Sequence, residues 1–318
     1  MSITTDPGVV PSAVTPDDRP AIQITDGGLE TTLVFHQGID LEDFAAFPLL
    51  RSEDGRSALA GYYAPYVELA ERLGVGMVLD TPTWRASSDW GARQGFGTDD
   101  MAAVNREAVE FVRGIAEESA LDEVVINGAI GPRGDGYEVG TMMTVDEAAS
   151  YHGPQIRAFR DAGVDSVTAV TMTYVDEAIG IARAAAAADV PVVVGFTTET
   201  DGRLPSGQAL ADAIAQVDAE TGGVATFFMV NCAHPSHFSA VLDGSAEWCR
   251  RIGAIRANAS RASHEELDAA PELDRGDPAE LANDYVELRR SLPSLHLVGG
   301  CCGTDHEHVA AIGEALIG

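Results

Sequence analysis

Eight short apolar runs recur along this chain, separated by longer amphipathic stretches, and that alternation restricts the possible folds to very few. The runs occupy residues 21–25, 75–79, 124–127, 166–170, 191–196, 225–230, 253–257 and 295–298. Stretches with helical periodicity fill the intervals, notably 101–118, 145–162, 176–188 and 208–220. Strands that alternate with helices pair in parallel through right-handed crossovers. Eight such units in 318 residues match an α/β fold of the (β/α)8 TIM barrel type better than a doubly wound sheet. No glycine-rich phosphate loop follows the first run, which argues against a nucleotide-binding sheet. No Pro/Ser-rich linker divides the chain. Residues 21–318 are therefore expected to form a single barrel domain, with insertions at 36–56 and 264–277.

Residues 1–20 are rich in Thr, Pro, Asp and Ser. They read as a disordered or loosely packed N-terminal segment. They lack the basic and apolar regions of a signal peptide, and no run of about 18 apolar residues suggests a transmembrane helix. A cytoplasmic location is expected. Fifty acidic residues face twenty basic ones, all of them Arg, for a formal net charge of −30. Such a surface repels nucleic acid and anionic membranes. Because the acidic residues are spread along the whole chain, the charge reads as adaptation to a halophilic setting, where a Debye length of about 3 Å at 1 M salt screens repulsion.

The chemistry concentrates where apolar runs end. Asp26-Gly27-Gly28 follows the first run, Thr83-Trp84-Arg85 the second, Asn231-Cys232 the sixth and Gly299-Gly300-Cys301-Cys302-Gly303 the eighth. In a barrel these positions share the C-terminal rim, where such enzymes carry their active sites. Adjacent cysteines do not readily bridge each other, but both can turn toward one metal. Cys232, Cys301 and Cys302 would give zinc three sulfurs and one open position, the arrangement of a catalytic site. A zinc ion held by three thiolates is suited to keeping a further thiol ionised, and the thiolate is the reactive form. Attack of that sulfur on a methyl carbon is the natural reaction. Asp26 is placed to hold a substrate ammonium, and the amides of Gly27 and Gly28 to receive a carboxylate. Cys249, inside a helix-like stretch, reads as a packed apolar residue, and His306-Glu307-His308 as a solvated start to the last helix.

These motifs resemble the homocysteine S-methyltransferase family from about Ile22 to Gly318. The resemblance implies a zinc-dependent barrel that moves a methyl group to homocysteine. Donors in that family include S-methylmethionine, S-adenosylmethionine, betaine and methylated corrinoids. It implies Cys232, Cys301 and Cys302 as zinc ligands, Asp26, Gly27 and Gly28 as homocysteine contacts, and a place in methionine biosynthesis. The partners are then a small-molecule thiol acceptor and a methyl donor. Two departures stand out. The family usually places a Glu after the fourth strand to bind the substrate amino group, where this chain has Val170. A Ser-Tyr-Gln-Ala run common after the second strand reads Thr83-Trp84-Arg85-Ala86.

Several residues carry two readings. Asp26 contacts substrate or caps a helix, and Asn231 contacts substrate or orders the Cys232 loop. Trp84 packs on a donor cation or is a rim aromatic. Arg85 pairs with a substrate carboxylate or forms a rim salt bridge. His234 is a poor fourth ligand, because a closed zinc site would block catalysis. The reading from another class is a non-catalytic zinc or redox sensor built on the vicinal cysteines.

Overall fold

The computed structural model describes residues 20–270 and 272–317. The loose N-terminal segment expected at residues 1–20 lies, but for Pro20, outside the described residues. Eight parallel strands close into one barrel in sequence order. They are β1 (Gln23–Ile24), β2 (Gly76–Asp80), β3 (Val124–Ile130), β4 (Ser166–Met172), β5 (Val192–Phe196), β6 (Ala225–Asn231), β7 (Ile252–Ala257) and β8 (Leu297–Gly300). The helices in chain order are α1 (Leu29–Thr31), α2 (Glu53–Leu73), α3 (Ser88–Arg93), α4 (Thr98–Glu118), α5 (Val145–Ala162) and α6 (Val175–Ala187). They continue as α7 (Leu210–Thr221), α8 (Pro235–Phe238), α9 (His264–Asp268), α10 (Pro278–Ser291) and α11 (His306–Ile317). Among the described residues no helix is long and apolar enough to cross a membrane.

All eight expected strands are present, but β2, β3, β4, β6 and β8 run one, three, two, one and two residues further toward the rim than the apolar runs. Pairing of these extensions is supplied by their neighbours: Asn231 pairs with Arg256, and Gly300 with Ala257. The 36–56 stretch holds two 3-10 turns, Glu42–Phe44 and Phe47–Arg51, and α2 has already begun at Glu53. Ser52 starts that helix by accepting the Gly55 N–H at 3.0 Å, two acidic residues follow in the first turn, and Gly74 ends it at φ +66°. Thr144 and Glu147 form a reciprocal capping box on α5. Cys249 is buried as expected but sits in a 3-10 turn, Glu247–Arg251, rather than a helix. The expected solvation of 306–308 fails at His308, which is fully buried. Its Nδ1 lies 2.8 Å from Asp305 and its Nε2 2.8 Å from the Arg275 carbonyl, so both ring nitrogens are satisfied inside.

Two apolar layers hold the barrel. The larger lies between strands and helices and includes Ile24, Leu79, Phe159, Phe196 and Val298. The smaller draws Val78, Ala129, Val170, Val193, Met229, Ala254 and Leu297 from seven of the eight strands. That alternation of inward and outward residues explains why the strands read as nearly continuous apolar runs.

Candidate active site

The cysteines meet because β7 lies between the strands that carry them. Cys232 follows β6 and donates its amide to the Arg256 carbonyl at 3.1 Å, while Cys301 follows β8 and donates to Ala257 at 2.8 Å. The Cys302 carbonyl accepts the Ala259 amide at 3.1 Å. Among the described residues, Cys232, Cys301 and Cys302 form a group whose sulfurs all lie within 4.8 Å of one another. The sequence reading leaves all three thiols free; the structure differs in joining Cys232 to Cys301 by a disulfide. Closure of the barrel brings their Cα atoms to 5.4 Å, inside the range a disulfide spans. Cys302 remains a free thiol. Burial pushes it up to about 11, so unaided it is protonated at neutral pH.

The backbone around this group is held in an uncommon conformation. Cys232 has φ +53° and Thr171, across on β4, has φ +66°, a region that β-branched residues avoid. The β4–β5 register shifts between Ala169 and Met172, the interval that contains Thr171. Asn231 stabilises both positions. Its Oδ1 accepts the Thr171 amide at 3.1 Å, and its Nδ2 donates to the Thr171 hydroxyl at 2.7 Å. That hydroxyl in turn lies 3.5 Å from the Cys232 sulfur. Gly195 on β5 makes room, since a Cβ there would sit 2.8 Å from the Asn231 Oδ1. Strain held in place by surrounding bonds is characteristic of functional sites. Tyr137, in the loop after β3, donates to the Cys302 sulfur at 3.3 Å and stacks on His264 at 4.0 Å. His264 reaches the Cys232 carbonyl at 2.8 Å.

Asp26 is almost wholly buried, and it is already partnered. It accepts from Tyr62 at 2.9 Å and Thr25 at 3.1 Å, and it is ion-paired with Arg256. Arg256 also pairs with Asp80 and donates to the carbonyls of Gly300 and Gly27 at 3.1 and 3.3 Å. Asp80 accepts in addition from Asn127 at 2.6 Å. Burial raises Asp26 against the pull of Arg256, and the two carboxylates hold Arg256 firmly cationic. The Gly28 amide is engaged too, donating to the Thr304 carbonyl at 3.0 Å.

Above this polar layer opens a cavity of about 450 Å³. Asp26, Gly27, Gly28, Trp84 and all three cysteines line it, while Asn231 stands behind its wall. Trp84 donates to the Val170 carbonyl at 3.3 Å. Its ring is 4.2 Å from the Arg85 guanidinium, which lies 3.7 Å from Trp90 on its other side. Arg85 is buried, donates to Gly134 at 2.9 Å and lies 3.7 Å from Asp135, but among the described residues its buried Nε has no partner. His234 stands apart from the cysteines: it caps α8 by accepting the Ser236 amide at 3.1 Å, and burial lowers it to about 4. Sequence reasoning missed Glu30, Asp80, Tyr137, Arg256 and His264. The signal for two of them was a charged residue at an apolar run, Asp80 closing Met77-Val78-Leu79 and Arg256 interrupting Gly253-Ala254-Ile255-Arg256-Ala257.

The sequence model of the family described as homocysteine S-methyltransferase matches residues 23–316. The chain belongs to that family. As a member it is a thiol S-methyltransferase-like enzyme, and this sets aside the non-catalytic sensor. Three solved structures of the homocysteine methyltransferase MmuM from Escherichia coli share the barrel. The metallated form has 21% identity and a TM-score of 0.73, covering 93% of this chain and 97% of that one. The oxidized form has 21% identity and a TM-score of 0.74, covering 94% and 97%. The apo form has 20% identity and a TM-score of 0.68, covering 94% and 98%. No curated protein matches this chain.

Proposed function

We propose that this homocysteine S-methyltransferase family member is zinc-dependent and carries a methyl group from a sulfonium or ammonium donor to homocysteine, giving methionine. The convergence of Cys232, Cys301 and Cys302 on one point of the cavity wall supports the reading. Three sulfurs and an open fourth position fit zinc by donor type and number. Zinc held there supplies a centre that keeps an incoming thiol as its thiolate at neutral pH. The chain's own residues then orient the partners. Trp84 and Arg85 form one wall of the cavity, and the Arg85 guanidinium lends that wall a positive charge that favours a substrate carboxylate. The acceptor sulfur forms a bond to the methyl carbon as the donor's carbon–heteroatom bond breaks, and that electron pair stays on the leaving atom. Holding both in line is the main contribution of the site.

The E. coli relative is known in metallated and oxidized forms, which supports taking the Cys232–Cys301 disulfide as the oxidised state of this same site. Reduction would be needed before metal enters. The acidic surface supports a halophilic setting. A different acceptor thiol is the second reading, favoured by Val170 at the usual Glu position and by Arg256 occupying Asp26.

Metal analysis and methyl transfer test the proposal together. Reduced protein should hold one zinc per chain and methylate homocysteine, and Cys301→Ala should lose both. Full zinc and activity in Cys301→Ala would refute the three-sulfur site. Zinc-loaded protein that methylates another thiol but not homocysteine would establish the second reading.

A further inference from the structure

Binding an amino-acid acceptor requires a receptor for its ammonium, and the obvious positions here do not supply one. Val170 is apolar and packs within the barrel. Asp26 and Asp80 are both tied to Arg256, with Tyr62, Thr25 and Asn127 taking further positions on them. Of the other carboxylates lining the cavity, Asp135, Asp268, Glu272 and Asp274 are exposed at its mouth. Glu30 alone among the remaining acidic lining residues is sheltered.

The position of Glu30 is built. Its neighbours Leu29 and Thr31 are buried. Thr31 donates to the Gly28 carbonyl at 3.1 Å and accepts the Gly303 amide at 3.2 Å, so α1 is tied to the loop that carries Cys301 and Cys302. A Cβ at Gly28 would sit 2.6 Å from the Cys301 carbonyl, so the two segments are in close contact. Among the described residues, no other residue hydrogen-bonds or ion-pairs with the Glu30 carboxylate. Burial raises it to about 7, with Asp26 adding to the rise and Arg85 and Arg256 opposing it. Its charge is also felt at the Cys302 thiol. A sheltered carboxylate without a cationic partner, within electrostatic reach of the sulfurs, is poised for a cation from solution.

We propose that Glu30 receives the α-ammonium of the acceptor amino acid, a role the family places on β4 where this chain has Val170. The assignment rests on the amino-acid thiol reading given above. Calorimetric binding to reduced, zinc-loaded protein tests it, using homocysteine and its desamino counterpart 4-mercaptobutanoate. The wild type should bind homocysteine about 10- to 100-fold more tightly than the desamino thiol, the range of a charge-assisted hydrogen bond. Glu30→Gln should erase that preference by weakening homocysteine alone, while zinc content and affinity for 4-mercaptobutanoate stay unchanged. Glu30→Asp should restore part of it. If Glu30→Gln keeps the preference, Glu30 is not the receptor although homocysteine is the acceptor. If the wild type binds both thiols equally, no ammonium receptor exists and the assignment falls, with thiol methylation untouched. If it binds neither, the homocysteine reading itself is overturned and the assignment goes with it.

Discussion

Glu30 and Thr171 show two ways in which a single residue is held at the site away from its ordinary state. Glu30 is shifted from 4.5 to about 7, chiefly by burial. The folded state therefore binds this proton more tightly than the unfolded state, and the contribution to stability falls as pH rises from about 4.5 to about 7. We expect the denaturant midpoint to drop between pH 5 and pH 7.5, and to drop less in Glu30→Gln; equal drops would show that Glu30 is not the titrating group. Asp305 does not confuse this window, because its carboxylate is held well below its usual range by His308 and Arg275 despite its burial. Thr171 is displaced in backbone rather than in charge. Its hydroxyl lies between Asn231 and the Cys232 sulfur, so Thr171→Val should keep the shape and lose the bond. Outer hydrogen bonds of this kind typically account for 10- to 100-fold in metal affinity; competition with a chelator should find zinc binding weakened by about that factor, and an unchanged affinity would make the contact incidental. At this scale the cysteines were legible because thiol chemistry and glycine flanks are written locally. Glu30 and Thr171 were not, since their environments come from α1 docking on the β8 loop and from a bulge that no local pattern announces.

Among the elements, the barrel's weakest closure is β1, only two residues long, and Arg256 reinforces it. From β7 the guanidinium reaches Asp26 just after β1, Asp80 at the end of β2 and the Gly300 carbonyl at the end of β8. Four strand ends are thereby joined at the floor of the cavity. Removing the cation leaves two buried carboxylates unpaired, and breaking a buried pair typically costs about 3–5 kcal/mol. We expect Arg256→Met to lower unfolding free energy by that amount in urea titration. Combining it with Asp26→Asn and Asp80→Asn should recover most of the loss, because the uncompensated charges are then gone. A triple variant as unstable as Arg256→Met would mean that the guanidinium matters for packing instead of charge. The strands themselves were legible as apolar runs, since parallel strands are buried on both faces. Their rim ends were not, because residues such as Asn231 and Gly300 extend the ladders through partners that only closure supplies.

For the whole molecule the governing quantity is a charge of −30 carried on 318 residues with no Lys. It could be counted without knowing the fold, yet the fold decides how it acts. The fold buries Asp26 and Asp80 at the barrel rim, where Arg256 meets them, and Glu177 between α5 and α6, where His152 meets it. Most of the remaining acidic residues stand on the outer helices and loops, with exposed pairs such as Arg72–Glu314 and Arg290–Glu287 offsetting only a few. Exposed pairs contribute about 0–1 kcal/mol each, so they do not balance the collective repulsion that compaction creates. Screening should relieve that repulsion, because the Debye length shrinks from about 10 Å at 0.1 M salt to about 3 Å at 1 M. The buried Arg256 cluster is screened far less. Raising NaCl from 0.1 to 2 M should therefore raise the melting temperature by about 5 °C or more, with a similar rise in KCl because screening depends on ionic strength rather than cation identity. Arg256→Met should show the same increment as the wild type from a lower starting point. A melting temperature that stays flat or falls with salt would show that surface repulsion does not limit this fold, and the acidic composition would then need an explanation other than adaptation to salt.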